Sequence, residues 1–147
     1  MSLEVLKHEI ITRSVASTWE EAVREWRLKE IFFRNKSTCL CGKNPIKECC
    51  VMHNNLNNET VIVGNYCVTK FLGINTDAYF SGIKRTKEDL CKSIGSEMLQ
   101  YAFRRYWISD WEYNFYSDTL RKRVMSPKQE AVRKKINKKI LDKFNSK

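Results

Sequence analysis

The chain has 147 residues, 42% of them hydrophobic, which suits a folded domain with a real core and excludes a disordered tail. Lys and Arg total 27 against 17 Asp and Glu, and a formal charge of +10 favours an anionic partner. No apolar run approaches the ~20 residues of a membrane span, and residues 1–15 mix charged with apolar side chains where a signal peptide has an apolar block. A soluble, intracellular protein, cytoplasmic or nuclear, is therefore expected, with no membrane partner.

Five Gly and two Pro punctuate the chain, which points to a helix-rich fold with few sharp turns. A single domain over residues 1–147 is expected, in three sections: a helical segment over 1–35, a cysteine-bearing hairpin module over 36–75, and helices over 76–147. In the first section Leu3, Leu6 and Ile10 fit either a helix or a strand. Ser17, Thr18, Glu20 and Glu21 offer overlapping capping boxes, and Trp19, Val23, Trp26, Glu30 and Phe33 recur at helical spacing. A helix through Phe33 follows from that pattern.

Helical periodicity stops in the second section. Residues 48–52 and 60–63 read as two strands joined through Asn54, Asn55, Asn57 and Asn58, since asparagine tolerates the left-handed backbone of tight turns. From Cys67 a short helix begins, with Val68, Phe71 and Leu72 on one side and Gly73 placed to end it. In the third section Thr86 and Asp89 are read as opening a helix through Leu99, Ala102, Phe103 and Tyr106. Ser109 and Glu112 form a capping box for the next, carrying Trp111, Tyr116, Leu120 and Val124. Ser126-Pro127-Lys128-Gln129 combines a cap, Pro at the first helical position and Gln at the third. The last helix lines Val132, Ile136, Ile140 and Phe144 on one face.

Six cysteines in a chain read as intracellular suggest metal ligands or buried thiols before disulfides. Cys39-Leu40-Cys41-Gly42 can form a tight turn that aims backbone N–H groups at sulfur, with Gly42 accepting the left-handed step. Cys67 falls at a helix N-terminus, where the dipole favours thiolate, the form that zinc binds. A closed structural zinc site needs a fourth ligand, and Cys49, Cys50 and His53 are candidates. With the turn near Asn57, Cys50 lies opposite Gly64, whose missing side chain leaves room. Cys49 then lies opposite Asn65, and His53 sits three residues further along the strand, roughly 10 Å away. Cys50 is the first choice, giving Cys39, Cys41, Cys50 and Cys67. Cys91, alone on a helical pattern, reads as a core thiol.

The order of cysteine knuckle, β-hairpin and helix with a ligand in its first turn resembles the treble-clef class of zinc fingers. The resemblance covers residues 39–73 and rests on Cys39, Cys41 and Cys67. It departs from the usual pattern in the single residue between Cys39 and Cys41, and in Gly64, which stands where a second cysteine would precede Cys67. The CxCG, hairpin, VGxxC layout is also similar to small uncharacterised microbial and viral proteins. The resemblance implies structural Zn2+; together with the helices read on either side, it gives an expected α+β, mostly helical fold, with a small treble-clef-like zinc-bound hairpin packed among about five helices.

Treble-clef scaffolds can carry His-Asn-His nuclease sites, which need a metal-binding His or Asn on the helix after the hairpin. Residues 67–73 contain neither, and no phosphate-cradling loop or nucleophile triad is evident, so no catalytic residue is assigned. Candidate contacts to nucleic acid, DNA or RNA, or to an acidic protein surface are Lys84, Arg85, Lys87, Arg104, Arg105, Arg121, Lys122, Arg123, Arg133, Lys134, Lys135, Lys138 and Lys139. Tyr106 and Trp107 are read as core aromatics. Two functions fit: a zinc-stabilised nucleic-acid-binding protein without catalytic activity, or a small protein-binding modulator or inhibitor of a nucleic-acid enzyme, such as a phage or other mobile element encodes.

Overall fold

The structure, a computed structural model, describes residues 3–145 and is of the α+β class. The chain divides into two compact units, Met1–Thr76 and Asp77–Lys147. The first contains α1 (Leu3–Thr12), α2 (Trp19–Val23), β1 (Trp26–Ser37), β2 (Ile46–Asn54), β3 (Thr60–Gly64) and α3 (Asn65–Phe71). The second contains α4 (Asp77–Glu88), α5 (Ser96–Arg104), α6 (Asp110–Thr119) and α7 (Pro127–Asn145). No helix among the described residues is long and apolar enough to cross a membrane.

The expected hairpin is present and gains a third strand, in antiparallel order β1-β2-β3. Asn58 takes the left-handed step of the turn at φ 63°, while the Asn54 side chain accepts from the Leu56 and Asn57 N–H groups at 2.8 and 3.2 Å. The third strand corrects the expected helix, which ends at Val23. The register shifts at Lys29: Leu28 faces Met52 while Glu30 faces Val51. That bulge puts Trp26 and Ile31, five residues apart, on one face opposite Asn54 and Cys50, and so hides the period-two signal of a strand. Leu28–Phe33 carries bulky apolar side chains that pair with the buried β2. Sheet pairing prevails over a helical stripe whose only tertiary reward would be one face.

The buried face of the sheet collects Trp26, Ile31, Cys50, Met52, Val61 and Val63, and α1 buries Leu6 and Ile10 in the same unit. Thr18 precedes α2 as expected but makes no side-chain cap. A carboxylate takes over the local organisation. Glu25, buried, accepts from the Val15 and Ala16 N–H groups at 2.8 and 2.7 Å and from Asn54 Nδ2 at 2.9 Å. It thus ties the turn after α1 to the hairpin tip.

Burial pushes the Glu25 carboxyl up, but the bonds from Asn54, Val15 and Ala16 outweigh it and hold it below its ordinary value. Its contribution to stability is therefore full above the unfolded carboxylate value of about 4.3 and is lost as pH falls through the lower folded value. Glu25→Gln should destabilise the first unit by about 2 kcal/mol near neutral pH. It should also flatten the acid limb of the stability profile, measured by urea unfolding across the acidic range.

In the second unit the two capping boxes form as expected. Ser109 Oγ accepts from the Glu112 N–H at 3.2 Å while the Ser109 N–H donates to Glu112 Oε1 at 2.8 Å. Ser126 and Gln129 exchange the same pair of bonds at the start of α7. The helix expected to open at Thr86 instead ends at Glu88. The Thr86 hydroxyl is buried and donates back to the Gly82 and Ile83 carbonyls, as an interior helical residue does. The 89–95 loop then breaks the path, and α5 starts after Gly95, at φ 91°. Leu120 caps α6, so Val124 lies beyond it and is exposed.

That loop is held from several sides. Asn137 Nδ2 donates to the Leu90 and Lys92 carbonyls at 2.8 Å each, and Tyr116 Oη accepts from the Ile94 N–H at 2.8 Å while donating to Asn137 Oδ1 at 2.6 Å. Gly82 lets α4 approach closely, since a Cβ there would stand 2.0 Å from the Ile94 carbonyl oxygen. Cys91, read as core from sequence, is only half-buried and sits in this loop.

Candidate metal centre and basic surface

Cys39, Cys41 and Cys67 meet in the first unit, with their sulfurs within 4.8 Å of one another and all three residues buried. Each arrives for a local reason. The turn after β1 closes through Cys39 N–H to the Lys43 carbonyl at 2.9 Å and Gly42 N–H to the Cys39 carbonyl at 2.8 Å, with Gly42 at φ 98°. Leu40 N–H donates to the Ile62 carbonyl at 3.0 Å and pins the turn to β3. Gly64 ends β3 and precedes α3, so Cys67 falls in the first turn of that helix.

The backbone already points donors at sulfur. Cys39 Sγ accepts from the Gly64 N–H at 3.2 Å and the Cys41 N–H at 3.5 Å. Burial raises the Cys39 thiol above its ordinary value despite those bonds. Burial also acts on Cys41, but the Lys43 N–H and the Cys39 and Cys67 thiols outweigh it and lower that thiol. Cys67 is raised by burial and by its two thiol neighbours. Cys67 Sγ lies 3.5 Å from Cys41 Sγ. Sulfurs about 2.3 Å from a tetrahedral metal stand about 3.8 Å apart, so these residues fit a bound ion with little movement.

Cys50 does not join them, which corrects the first choice of fourth ligand. The hairpin register is one residue off the expected one: Cys49 faces Gly64 and Cys50 faces Val63. Alternation then sends Cys50 to the buried face with Met52 and Val63. Burial there pushes its thiol up to about 12. Cys49 Sγ donates to the Lys47 carbonyl at 3.6 Å, and His53 pairs across the sheet with Arg27 and Thr60. Among the described residues no further Cys, His, Asp or Glu completes the group. The three cysteines form part of the wall of a cavity of about 520 Å³, with Pro45, Ile46, Gly64, Tyr66 and Phe71.

The basic residues named from sequence separate into groups in the second unit. Arg85, Arg121 and Arg123 line one concavity together with Lys92, Ser93, Gly95 and Ser96, beside the start of α5; Glu97 and Leu120 complete the wall. Lys92 went unrecognised in the sequence, since nothing around it marks a basic cluster. Arg104 and Lys139 line a second concavity with Lys143, Tyr106 and Trp107, and Lys139 pairs with Glu112 at 2.9 Å. The Arg105 guanidinium lies 4.0 Å from the centre of the Tyr101 ring. Lys84, Lys87, Lys122, Lys134, Lys135 and Lys138 are exposed and line neither concavity.

Arg133 corrects the expectation of a surface contact. It is only 2% exposed, donates to the Thr119 and Cys91 carbonyls, and lies over the Tyr116 ring. Its position three residues before Ile136 puts it on the packed face of α7. Tyr106 corrects the opposite error. It takes the left-handed step at φ 60° that ends α5, where its N–H bonds the Phe103 carbonyl and the Trp107 N–H bonds the Ala102 carbonyl. That step carries its ring out to 92% exposure. Trp107 is half-buried against Tyr101, at 5.6 Å between ring centres.

In comparisons with protein-family models, curated proteins and solved structures, nothing matches this chain.

Proposed function

We propose that this is a zinc-stabilised, basic nucleic-acid-binding protein without catalytic activity. The observation that carries the reading is the convergence of Arg85, Lys92, Arg121 and Arg123 on one concavity, although the chain separates them by up to 38 positions. Four cations around a hollow at the start of a helix suit phosphate oxygens. The second concavity adds a solvent-facing Tyr106 and a half-buried Trp107 beside Arg104 and Lys143, the mixture of cations and rings on which unpaired bases stack.

Zinc is the proposed ion because three clustered thiolates select soft or borderline metals, and zinc is the usual one in structural sites. The knuckle at Cys39–Gly42, the hairpin and α3 follow the order of a treble clef, which supports the same choice. In this reading the metal holds the first unit together, and the second unit supplies phosphate contacts.

The test is oligonucleotide binding across a salt series, with single-stranded and duplex DNA and RNA. The wild-type protein should bind with steep salt dependence. The combined variant Arg85→Ala, Arg121→Ala and Arg123→Ala should bind about a hundredfold more weakly at moderate salt, with a log–log slope smaller by about 3. A second reading, a modulator that binds an acidic protein surface, is favoured by the exposed Trp111 and Val124, which phosphate contacts leave unused. Absence of salt-dependent nucleic-acid binding by the wild type would favour it.

A further inference from the structure

Among the described residues the cysteine group stops at three side chains. Gly64 donates its N–H to Cys39 Sγ and lines the same cavity as Cys39, Cys41 and Cys67. A Cβ at Gly64 would meet Ile46 Cδ1 and Cγ2 at 3.6 Å and Cys39 Cβ at 3.8 Å, ordinary contacts, and its φ of −67° suits any residue. Neither space nor backbone requires glycine here. A side chain at this position would enter the wall of that cavity beside Cys39.

We propose that the protein supplies only Cys39, Cys41 and Cys67, and that the fourth coordination position opens into the cavity, where it takes the thiolate of a small apolar thiol. The inference rests on the metal-centre reading above. The cavity gives the ligand class. Pro45, Ile46, Tyr66 and Phe71 offer apolar wall, with Tyr66 and Phe71 edge to face at 6.0 Å, and Lys43 and Lys47 also line it. An apolar body suits those walls, while a soft sulfur suits a thiolate-bound metal. Set against the one carboxylate of Glu48 in the same wall, the two lysines offset the added negative charge. The incoming thiol releases its proton to solvent as its sulfur binds, so no oxidant or reductant takes part.

The full-length protein loaded with Co2+ tests this, because the visible bands of cobalt report each change in its ligands. Titration with benzyl mercaptan should give a saturable shift toward a four-sulfur spectrum at one equivalent per metal. Gly64→Cys should abolish that response and tighten Co2+ binding by at least about tenfold, as a fourth protein thiolate closes the site. Cys49→Ala and Cys50→Ala should leave the metal affinity and the benzyl mercaptan response as in the wild type.

A wild-type spectrum that holds Co2+ yet ignores benzyl mercaptan would overturn the proposal and leave the metal centre standing. So would loss of Co2+ on replacing Cys49 or Cys50, which would identify a fourth protein ligand. Failure of the wild type to take up either Co2+ or Zn2+ would remove the metal reading itself. The wild-type titration decides the matter even where a variant does not fold.

Discussion

On the proposed zinc reading, Cys67→Ser should abolish metal binding and lower the stability of the first unit in zinc-replete buffer by about 4 kcal/mol, roughly a third of the ~10–16 kcal/mol that structural zinc contributes in small domains. Cys67 joins α3 to the knuckle, its sulfur 3.5 Å from that of Cys41. Serine keeps the volume and offers a poor ligand, so the loss reports coordination more than packing. Competition with a chromogenic chelator measures the affinity, and thermal melting with and without chelator measures the stability. Wild-type protein treated with chelator should melt like untreated Cys67→Ser, and the variant should be indifferent to chelator. Equal melting of all four samples would return the cysteines to the role of buried apolar residues.

The second large effect is expected in the other unit, away from the three cysteines. Asn137→Ala should cost about 3 kcal/mol, because it removes three short bonds at once, one to the buried Tyr116 hydroxyl and two to the part-buried Leu90 and Lys92 carbonyls. The Leu90 and Lys92 carbonyls lose their donor, and Tyr116 Oη loses its acceptor. Burial already raises the Tyr116 hydroxyl above its ordinary value, so ionisation offers no relief. Tyr116→Phe retains both carbonyl bonds of Asn137 and should cost about 1.5 kcal/mol. Urea unfolding of the two variants and of their combination gives the coupling; a combined loss equal to the sum would mean that the network does not act as a unit. On the proposed nucleic-acid-binding reading, the loop it holds carries Lys92, Ser93 and Gly95, so Asn137→Ala should also weaken oligonucleotide binding without removing a cation.

The two effects differ in how readily the sequence announced them. The knuckle and the helix-borne Cys67 were legible because each depends on local geometry: a turn that needs Gly42, and a helix that begins two residues before Cys67. The capping boxes at Ser109 and Ser126 were legible for the same reason, each closing within four residues. Asn137 carried no such mark. Its value comes from carbonyls 45 and 47 positions away, and one polar residue on the packed face of a helix looks like an interruption of the apolar stripe.

The misplaced elements share a cause. The stripe from Trp19 to Phe33 keeps helical spacing, yet a bulge at Lys29 returns Trp26 and Ile31 to one face of a strand, and only the pairing with β2 reveals it. The fourth ligand turned on one residue of register. With Gly64 opposite Cys49 rather than Cys50, strand alternation moves Cys50 to the buried face.

By itself, then, the sequence determined the hairpin, the starts of α6 and α7, the stop at Gly73 and the three cysteines that meet, since each follows from turns, caps or ligand spacing within a few residues. Only the tertiary structure decided the third strand, the burial of Arg133 and the hollow shared by Arg85, Lys92, Arg121 and Arg123. Those depend on which segments pair and pack across long stretches of chain, where spacing in sequence carries no distance in space.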